Sequence, residues 1–599
     1  MNEKEWTIMV YMAGDNNLAV DMAYAMEQIK EVAGKSSDKL NLLVYYDGCS
    51  PDIPTLYCDF SDPKDPKYVS SESVDAYKPY PVSKKRNENA ADTKSILNFV
   101  DWCVNVNEKK TKRGRRAEKY ALIFSGHSLG FADKGLFKDE TSGKSMKIMD
   151  LSLALQRLVL TKKELEMREW NPKIEVELML TNTDLLLGQP LDILGFDSCL
   201  MGMLEVGYQF AGLTKTMIVS EGSIPSAGWS YAKILTDLTN KRYKNTQDMA
   251  GHFVKSFIES QDKYIIGGIS VDMAAWDMNQ FFELADQVNF LGEDLIKCFE
   301  LNNGKKSRVY KQMERIILQV HWKCQSYMFD QNVDLGDFCE LLIQECESVV
   351  QEELSGGDDT EVLSNVIVRC RQVLTALESA VILSGFSGGE YQYSNGVSLF
   401  FPWSLEAYEV SKKNYQGTWF SLELRNAVSW TSDRLTGDKL TGDKLIGWDD
   451  FLKKYLKEVS RRAQAPITAK RSSERSQELI LDSSDSKKYV YVSGVNFYER
   501  LDSSSLEDTE SLMTDPGHSE SSVRQGGSGS SVRQGGSGSS VRQGGSGSSV
   551  RQGGSASGGA DGFFNALKLR KNTVVRWDIS GFTKNPEEEK KAEKGEPES

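Results

Sequence analysis

LDILGFDSC, residues 191–199, runs directly into LMGMLEVGYQF, residues 200–210. The first piece is almost continuously apolar and too short for an ordinary helix, as a strand buried on both faces would be. The second has helical spacing, so the pair predicts a strand, a break at Cys199 and a helix. The same pattern recurs toward the N-terminus. WTIMVYMAG (6–14), LNLLVYYDG (40–48) and YALIFSGHS (120–128) read as core strands, and TLYCDF (55–60) as a short edge strand. DMAYAMEQIKEV (21–32), ADTKSILNFVDWCVNVNE (91–108) and MDLSLALQRLV (149–159) read as the helices between them, and TMIVSEG (216–222) as a fifth core strand. Buried strands alternating with helices predict an α/β sandwich, a mostly parallel sheet covered on both faces. In such sheets functional groups gather at the carboxyl ends of the strands.

Residues 1–280 form this α/β core in our reading, and 281–460 a helix-rich extension of it. DLGDFCELLIQECESVV (334–350) and VLSNVIVRCRQVLTALESAVI (362–382) are helical in period, while GISVDMAAW (268–276) and GVSLFFPW (396–403) read as added strands. Residues 461–504 read as a polar linker with a small β segment. SSVRQGGSG then repeats with a period of nine, setting Arg524, Arg533, Arg542 and Arg551 in register. Gly/Ser repeats bury too little surface to offset chain entropy, so 505–560 is expected to be disordered, and 561–599 mostly so.

Composition excludes several classes. The net charge is −14 and no Lys/Arg stripe interleaves with aromatics, which disfavours nucleic-acid binding. No run approaches the ~18 apolar residues of a membrane span. The start lacks the features of a signal peptide, so the protein is expected in the cytoplasm, or is secreted if a leader has been removed. Nine cysteines without a CxxC pair argue against a disulfide framework or a zinc site.

The chemistry rests on two short patterns, SGHSLG (125–130) and GFDSCLMG (195–202). Only four histidines occur in 599 residues, and His127 ends one core strand as Cys199 ends another. A thiolate is an effective nucleophile, and an imidazole can take its proton. Helix N–H groups after Cys199 would stabilise a negative sulfur, and iodoacetamide would label it preferentially at neutral pH. The backbone N–H of Cys199 and one near His127 would form an oxyanion hole. A lone Cys at a strand end is more often structural, and spacing alone leaves both readings open. Asp197 shares a strand face with Cys199. It would oppose thiol ionisation, so it suits either a receptor for a cationic substrate side chain or a strand-end acceptor of backbone N–H groups.

WTIMVYMAGDNNL (6–18), SGHSLGF (125–131), GFDSCLMGMLEVGYQ (195–209) and SEGSIPSAGWSY (220–231) resemble the clostripain family of cysteine peptidases. VDLGDF (333–338), GVSLFFP (396–402) and IGWDDFLKKY (446–455) extend the resemblance over roughly residues 5–455. It implies a caspase-like αβα sandwich, a His127/Cys199 dyad and protein or peptide substrates cut after Arg or Lys. It also implies Asp197 as the acid of the S1 pocket and self-cleavage between His and Cys. Lys144 or Lys147, in the polar stretch FADKGLFKDETSGKSMK (131–147), is the expected self-cleavage point. Ser128 stands where the family usually has Gly after the histidine, and is expected to offer its N–H to substrate. PSAGW lacks an acid that the family often carries there, which leaves basic specificity resting mainly on Asp197, with Glu221 as a further acid nearby. Alternatives are a catalytically silent binding module of the same fold, or a peptidase with another P1 preference. No cofactor is expected. Some family members use calcium, but Asp15, Asp47 and Asp133 read as solvated turn residues and no EF-hand loop is present.

Overall fold

A computed structural model describes residues 4–33, 40–49, 53–62, 64, 66–71, 87–104, 115–132, 135–159, 187–240, 243, 245–261, 270–300, 308–352, 358–418, 420–421, 446–463, 533–536 and 539–542. The strands are β1 (Lys4–Gly14), β2 (Leu40–Gly48), β3 (Leu56–Asp59), β4 (Lys67–Ser70), β5 (Ala117–Ser125), β6 (Leu136–Asp139), β7 (Lys144–Met146), β8 (Leu191–Asp197), β9 (Thr214–Val219), β10 (Val271–Asp277), β11 (Asn332–Asp334), β12 (Val381–Ser387) and β13 (Ser398–Phe400). Nine of them form one sheet in the order β12-β10-β9-β8-β5-β1-β2-β3-β4. The five central strands, β9-β8-β5-β1-β2, run parallel. Antiparallel pairs close both sides, β3 and β4 on one and β10 and β12 on the other.

β1 shows how the sequence sets the layers. Its alternate side chains go to opposite faces, as strand geometry requires. Ile8, Val10 and Met12 pack on one side with α1 (Ala19–Ala33) and with helices over Tyr231–Asn240 and Thr246–Ser260. Met9, Tyr11 and Ala13 pack on the other with helices over Thr93–Val104, Ile148–Val159 and Phe281–Glu300. Tyr11 stacks on Tyr45 of the neighbouring strand at 4.2 Å. The expected α/β sandwich is therefore present, with β12 carrying the helix-rich region into the same sheet.

Several local expectations change. TLYCDF is not the edge, because β4 pairs outside β3. The helix expected over 200–210 is a single turn, Leu204–Tyr208. Cys199 and Leu200 form a turn first, with Leu200 at φ 59°, and Gly202 N closes it onto Ser220 O at 2.7 Å. The helical period of 362–382 stops at Ala380, and its last residues turn into β12. FADKGLFKDETSGKSMK is not an open loop. It contains the paired strands β6 and β7, and Phe137 N donates to His127 O at 3.0 Å. In the C-terminal repeats, Arg533–Gly536 pairs with Ser539–Arg542. The rest of that tract, the 478–501 segment and the tandem LTGDKLTGDK lie outside the described residues. Among the described residues no helix is long and apolar enough to cross a membrane.

Glu205 shows how the site's frame is tied. It is fully buried, and its Oε1 accepts from Phe400 N at 3.0 Å, joining the short helix after Cys199 to β13. Burial pushes its carboxyl up to about 7, only partly offset by its own and Phe400's backbone N–H groups. A raised carboxyl contributes stability below its unfolded value of 4.5 and loses it as pH rises through about 7. The window is worth ~3 kcal/mol at ~1.4 per unit. Glu205→Gln keeps the acceptor and removes the titration. Thermal unfolding from pH 5 to 8 should therefore show a shallower fall in Tm for the variant than for the parent; parallel curves would contradict this account.

Candidate active site

Register brings the two chemical patterns together. β5 pairs with β8 so that Ser125 lies opposite Asp197, and Gly126 N donates to Asp197 O at 3.3 Å. His127 and Cys199 each stand two residues beyond that pair, at the same carboxyl edge of the sheet. Ser128 Oγ donates to Cys199 O, tying the histidine segment to the cysteine turn. Both key side chains are half-buried.

His127 Nε2 lies 2.6 Å from Asn17 Oδ1. With an amide oxygen there as acceptor, Nε2 carries the proton and Nδ1 is the basic nitrogen. Asn17 was not singled out from the sequence. Its signal was the GDNN turn at the end of β1, which sits beside β5 in the sheet. Burial and the nearby Lys138 push the imidazole down to about 4. The ring is therefore neutral at physiological pH.

Cys199 Sγ accepts from Ile224 N at 3.3 Å and lies 3.7 Å from Ile224 O. The helix N-terminus expected to support it is five residues away, so the Ile224 amide takes that place. Burial raises the thiol to about 11, and the carboxylates of Asp197 and Asp272 add to the shift against the Ile224 bond. Burial thus favours the neutral form of both the thiol and the imidazole. These shifts argue against ready alkylation of Cys199 at neutral pH.

Asp197 is buried and holds three donors. Trp229 N reaches Oδ1 at 3.0 Å, while Tyr231 OH and Ser125 Oγ reach Oδ2 at 3.0 and 3.1 Å. Burial outweighs these bonds and raises its carboxyl to about 6. The PSAGW turn is shaped around it. Gly228 has φ 65°, and a Cβ there would sit 2.7 Å from Asp197 Oδ2. Glycine is needed both for that backbone and for the close approach. Glu221 shares none of these donors. Its Oε2 accepts from Gly396 N at 2.9 Å, among Asp334 and Asp272.

A model of the clostripain family matches residues 10–448. The chain belongs to that family. Clostripain of Hathewaya histolytica is 27% identical over 256 residues, covering 40% of this chain and 44% of that protein. The chain thus matches less than half the length of this curated relative. Among solved structures, an inactive zymogen C11 protease from Parabacteroides distasonis is 17% identical, covering 71% of this chain and 99% of its own, with a TM-score of 0.44. A secreted C11 cysteine protease from Bacteroides thetaiotaomicron is 12% identical, covering 70% of this chain and 99% of its own, with a TM-score of 0.45.

Other expected residues have varied surroundings. Lys144 and Lys147 have exposed side chains, but Lys144 is in β7 and Lys147 O accepts from Leu151 N at 3.2 Å. Both backbones are held, contrary to a flexible loop. Asp15 and Asp47 are not solvated turn residues, being 1% and 0% exposed, and Asp133 lies outside the described residues.

The resting protonation gives a direct check. Alkylation by iodoacetamide follows the thiolate fraction. Labelling of Cys199, read by peptide mapping against Cys199→Ala, should be slow at pH 7 and climb about tenfold per pH unit toward a pKa of about 11. A plateau below pH 8 would show a preformed thiolate instead.

Proposed function

We propose that this protein is a cysteine endopeptidase with Cys199 as nucleophile and His127 as its proton carrier. The observation that carries this reading is the register of β5 on β8, which sets both residues at one sheet edge with the Ser128–Cys199 contact between them. Family membership over 10–448 supports the same assignment. Both groups start neutral, so the proton leaves Sγ for His127 Nδ1 as the sulfur bonds to the scissile carbonyl carbon. The imidazolium returns it to the leaving amine as the C–N bond breaks. Water then attacks the thioester, releasing the acid and restoring the thiol. The N–H groups of Cys199 and Ser128 are the proposed donors to the oxyanion, which matters because such bonds strengthen as charge develops.

For specificity, we infer that Asp197 receives Arg or Lys at P1. A cation would bring the counter-charge that its three neutral donors lack, and Arg can pair bidentately. Those three donors also favour a second reading, in which Asp197 shapes the pocket wall and another P1 residue is preferred. For processing, Lys144 or Lys147 is the proposed cut, and the pairing of β6 with β7 means the hairpin must open first.

A fluorogenic panel with varied P1 tests these assignments. Cys199→Ala should abolish turnover and His127→Ala should lower it by at least ~10²-fold. Asp197→Asn should lower turnover of Arg and Lys substrates far more than that of others, with near-parental folding by circular dichroism. Near-parental turnover in Cys199→Ala would remove the peptidase reading, whereas efficient cleavage after Leu or Asp alone would remove only the P1 assignment. N-terminal sequencing should find new ends after Lys144 or Lys147 in the parent and none in Cys199→Ala. An active chain uncut through 131–147 would remove self-processing at these positions.

A further inference from the structure

Asp272 stands on β10 and is buried. Both of its carboxylate oxygens are used on one stretch of backbone. Oδ2 accepts from Glu221 N at 2.7 Å and Oδ1 from Gly222 N at 2.8 Å, while Ser220 Oγ donates to the Asp272 carbonyl at 2.6 Å. The same stretch meets the cysteine turn with its other groups. Ser220 O accepts from Gly202 N at 2.7 Å, and Gly222 O accepts from Leu200 N at 2.9 Å. Two residues further on, Ile224 N donates to Cys199 Sγ at 3.3 Å. Residues 220–224 therefore form a bridge, with Asp272 on one side and the turn of Cys199 on the other.

The bridge has no slack. A Cβ on Gly202 would meet Glu221 N at 2.6 Å and Ser220 C at 2.7 Å. The charged groups that act on Asp272 are themselves acidic, Asp334 and Glu221, and among the described residues no Lys or Arg forms an ion pair with it. A buried carboxylate without a counter-cation is costly, so its bonds to the two amides are what hold it in place. Such charge-assisted bonds are stronger than neutral ones. A side-chain amide there would keep one acceptor oxygen and turn an N–H toward a backbone N–H.

We propose that Asp272 is a positioning residue for Cys199, acting through the backbone of residues 220–224; this rests on Cys199 being the nucleophile. Glu221 N and Ser220 O belong to one planar trans peptide unit, so drawing its N–H onto Asp272 aims its carbonyl at Gly202 N. Gly222 is held at both ends, its N on Asp272 and its O on Leu200 N. Leu200 and Gly202 in turn fix the backbone that carries Sγ and the N–H of Cys199, the proposed oxyanion donor. The Gly202 carbonyl keeps a separate bond from Ser398 N at 2.8 Å, so without Asp272 the turn stays folded but is held from one side only. The donors to Asp197, which are Trp229 N, Tyr231 OH and Ser125 Oγ, lie outside this bridge. Loss of Asp272 therefore falls on the chemical step rather than on substrate binding.

The test compares full-length Asp272→Asn and Asp272→Ala with the parent, well below unfolding and at a pH above the value of about 7 to which burial pushes the Asp272 carboxyl. With the best fluorogenic peptide, kcat should fall at least ~10-fold in Asp272→Asn and further in Asp272→Ala, with KM within ~2-fold of the parent. In a Cys199→Ala background, hydrogen-exchange mass spectrometry should show faster exchange over residues 200–202 when Asp272→Asn is added, while β5 keeps its parental protection. Parental kcat in both variants, or unchanged exchange over 200–202, would overturn the proposal. So would a lower Tm with kcat and KM retained, which would make Asp272 a structural tie only. If Asp272→Ala does not fold, Asp272→Asn decides; if neither folds, the proposal falls. A parent without turnover would instead remove the nucleophile reading, and the exchange measurement would still decide whether Asp272 holds the turn.

Discussion

The parallel pairing of β5 with β8 is the constraint on which the site depends. Two segments far apart in sequence share one hydrogen-bonded ladder, and its register sets Ser125 beside Asp197. A one-residue slip would turn every side chain of β8 to the opposite face. The slip is prevented by burial on both sides, since Ile193 packs against one helical layer and Leu194 and Phe196 against the other. His127 and Cys199 stand at one edge of the sheet because these apolar residues fix the ladder beneath them.

Burial also decides the charge state above that ladder. Asp197, Glu205, Asp272 and Cys199 are all pushed toward their neutral forms by removal of water, and His127 is pushed the same way from the other side. These groups at the sheet edge are therefore all biased toward their neutral forms. Bonds from backbone amides soften these shifts without removing them. Asp272, for example, accepts from Glu221 N and Gly222 N at 2.7 and 2.8 Å, and burial still pushes its carboxyl up to about 7.

The hairpin of β6 and β7 is the second structural decision. It floors the histidine segment through Phe137 and meets β1 through Glu140 N, which donates to Asp15 O at 2.8 Å. Its acidic end converges with β1 and β2, while its outer side shows Lys144. One hairpin thus contacts the His127 backbone, meets the turn after β1 and carries Lys144.

The sequence by itself determined the layered α/β plan, because apolar periodicity reports burial locally. Five parallel strands, the helices between them and the placement of His127 and Cys199 at strand ends were legible in that way. The GDNN, FDSCLMG and PSAGW patterns also carried the family. Only the tertiary structure decided the antiparallel edges of the sheet, the Asn17 partner of His127, and the Gly228 cradle around Asp197. It also decided the convergence of Asp15 and Asp47, which read singly as turn acids, with Asp139, and the shortness of the helix after Cys199. The physical reason is that hydrogen-bond partners, desolvation and charge crowding depend on residues distant in sequence, whereas periodicity sees only neighbours along the chain.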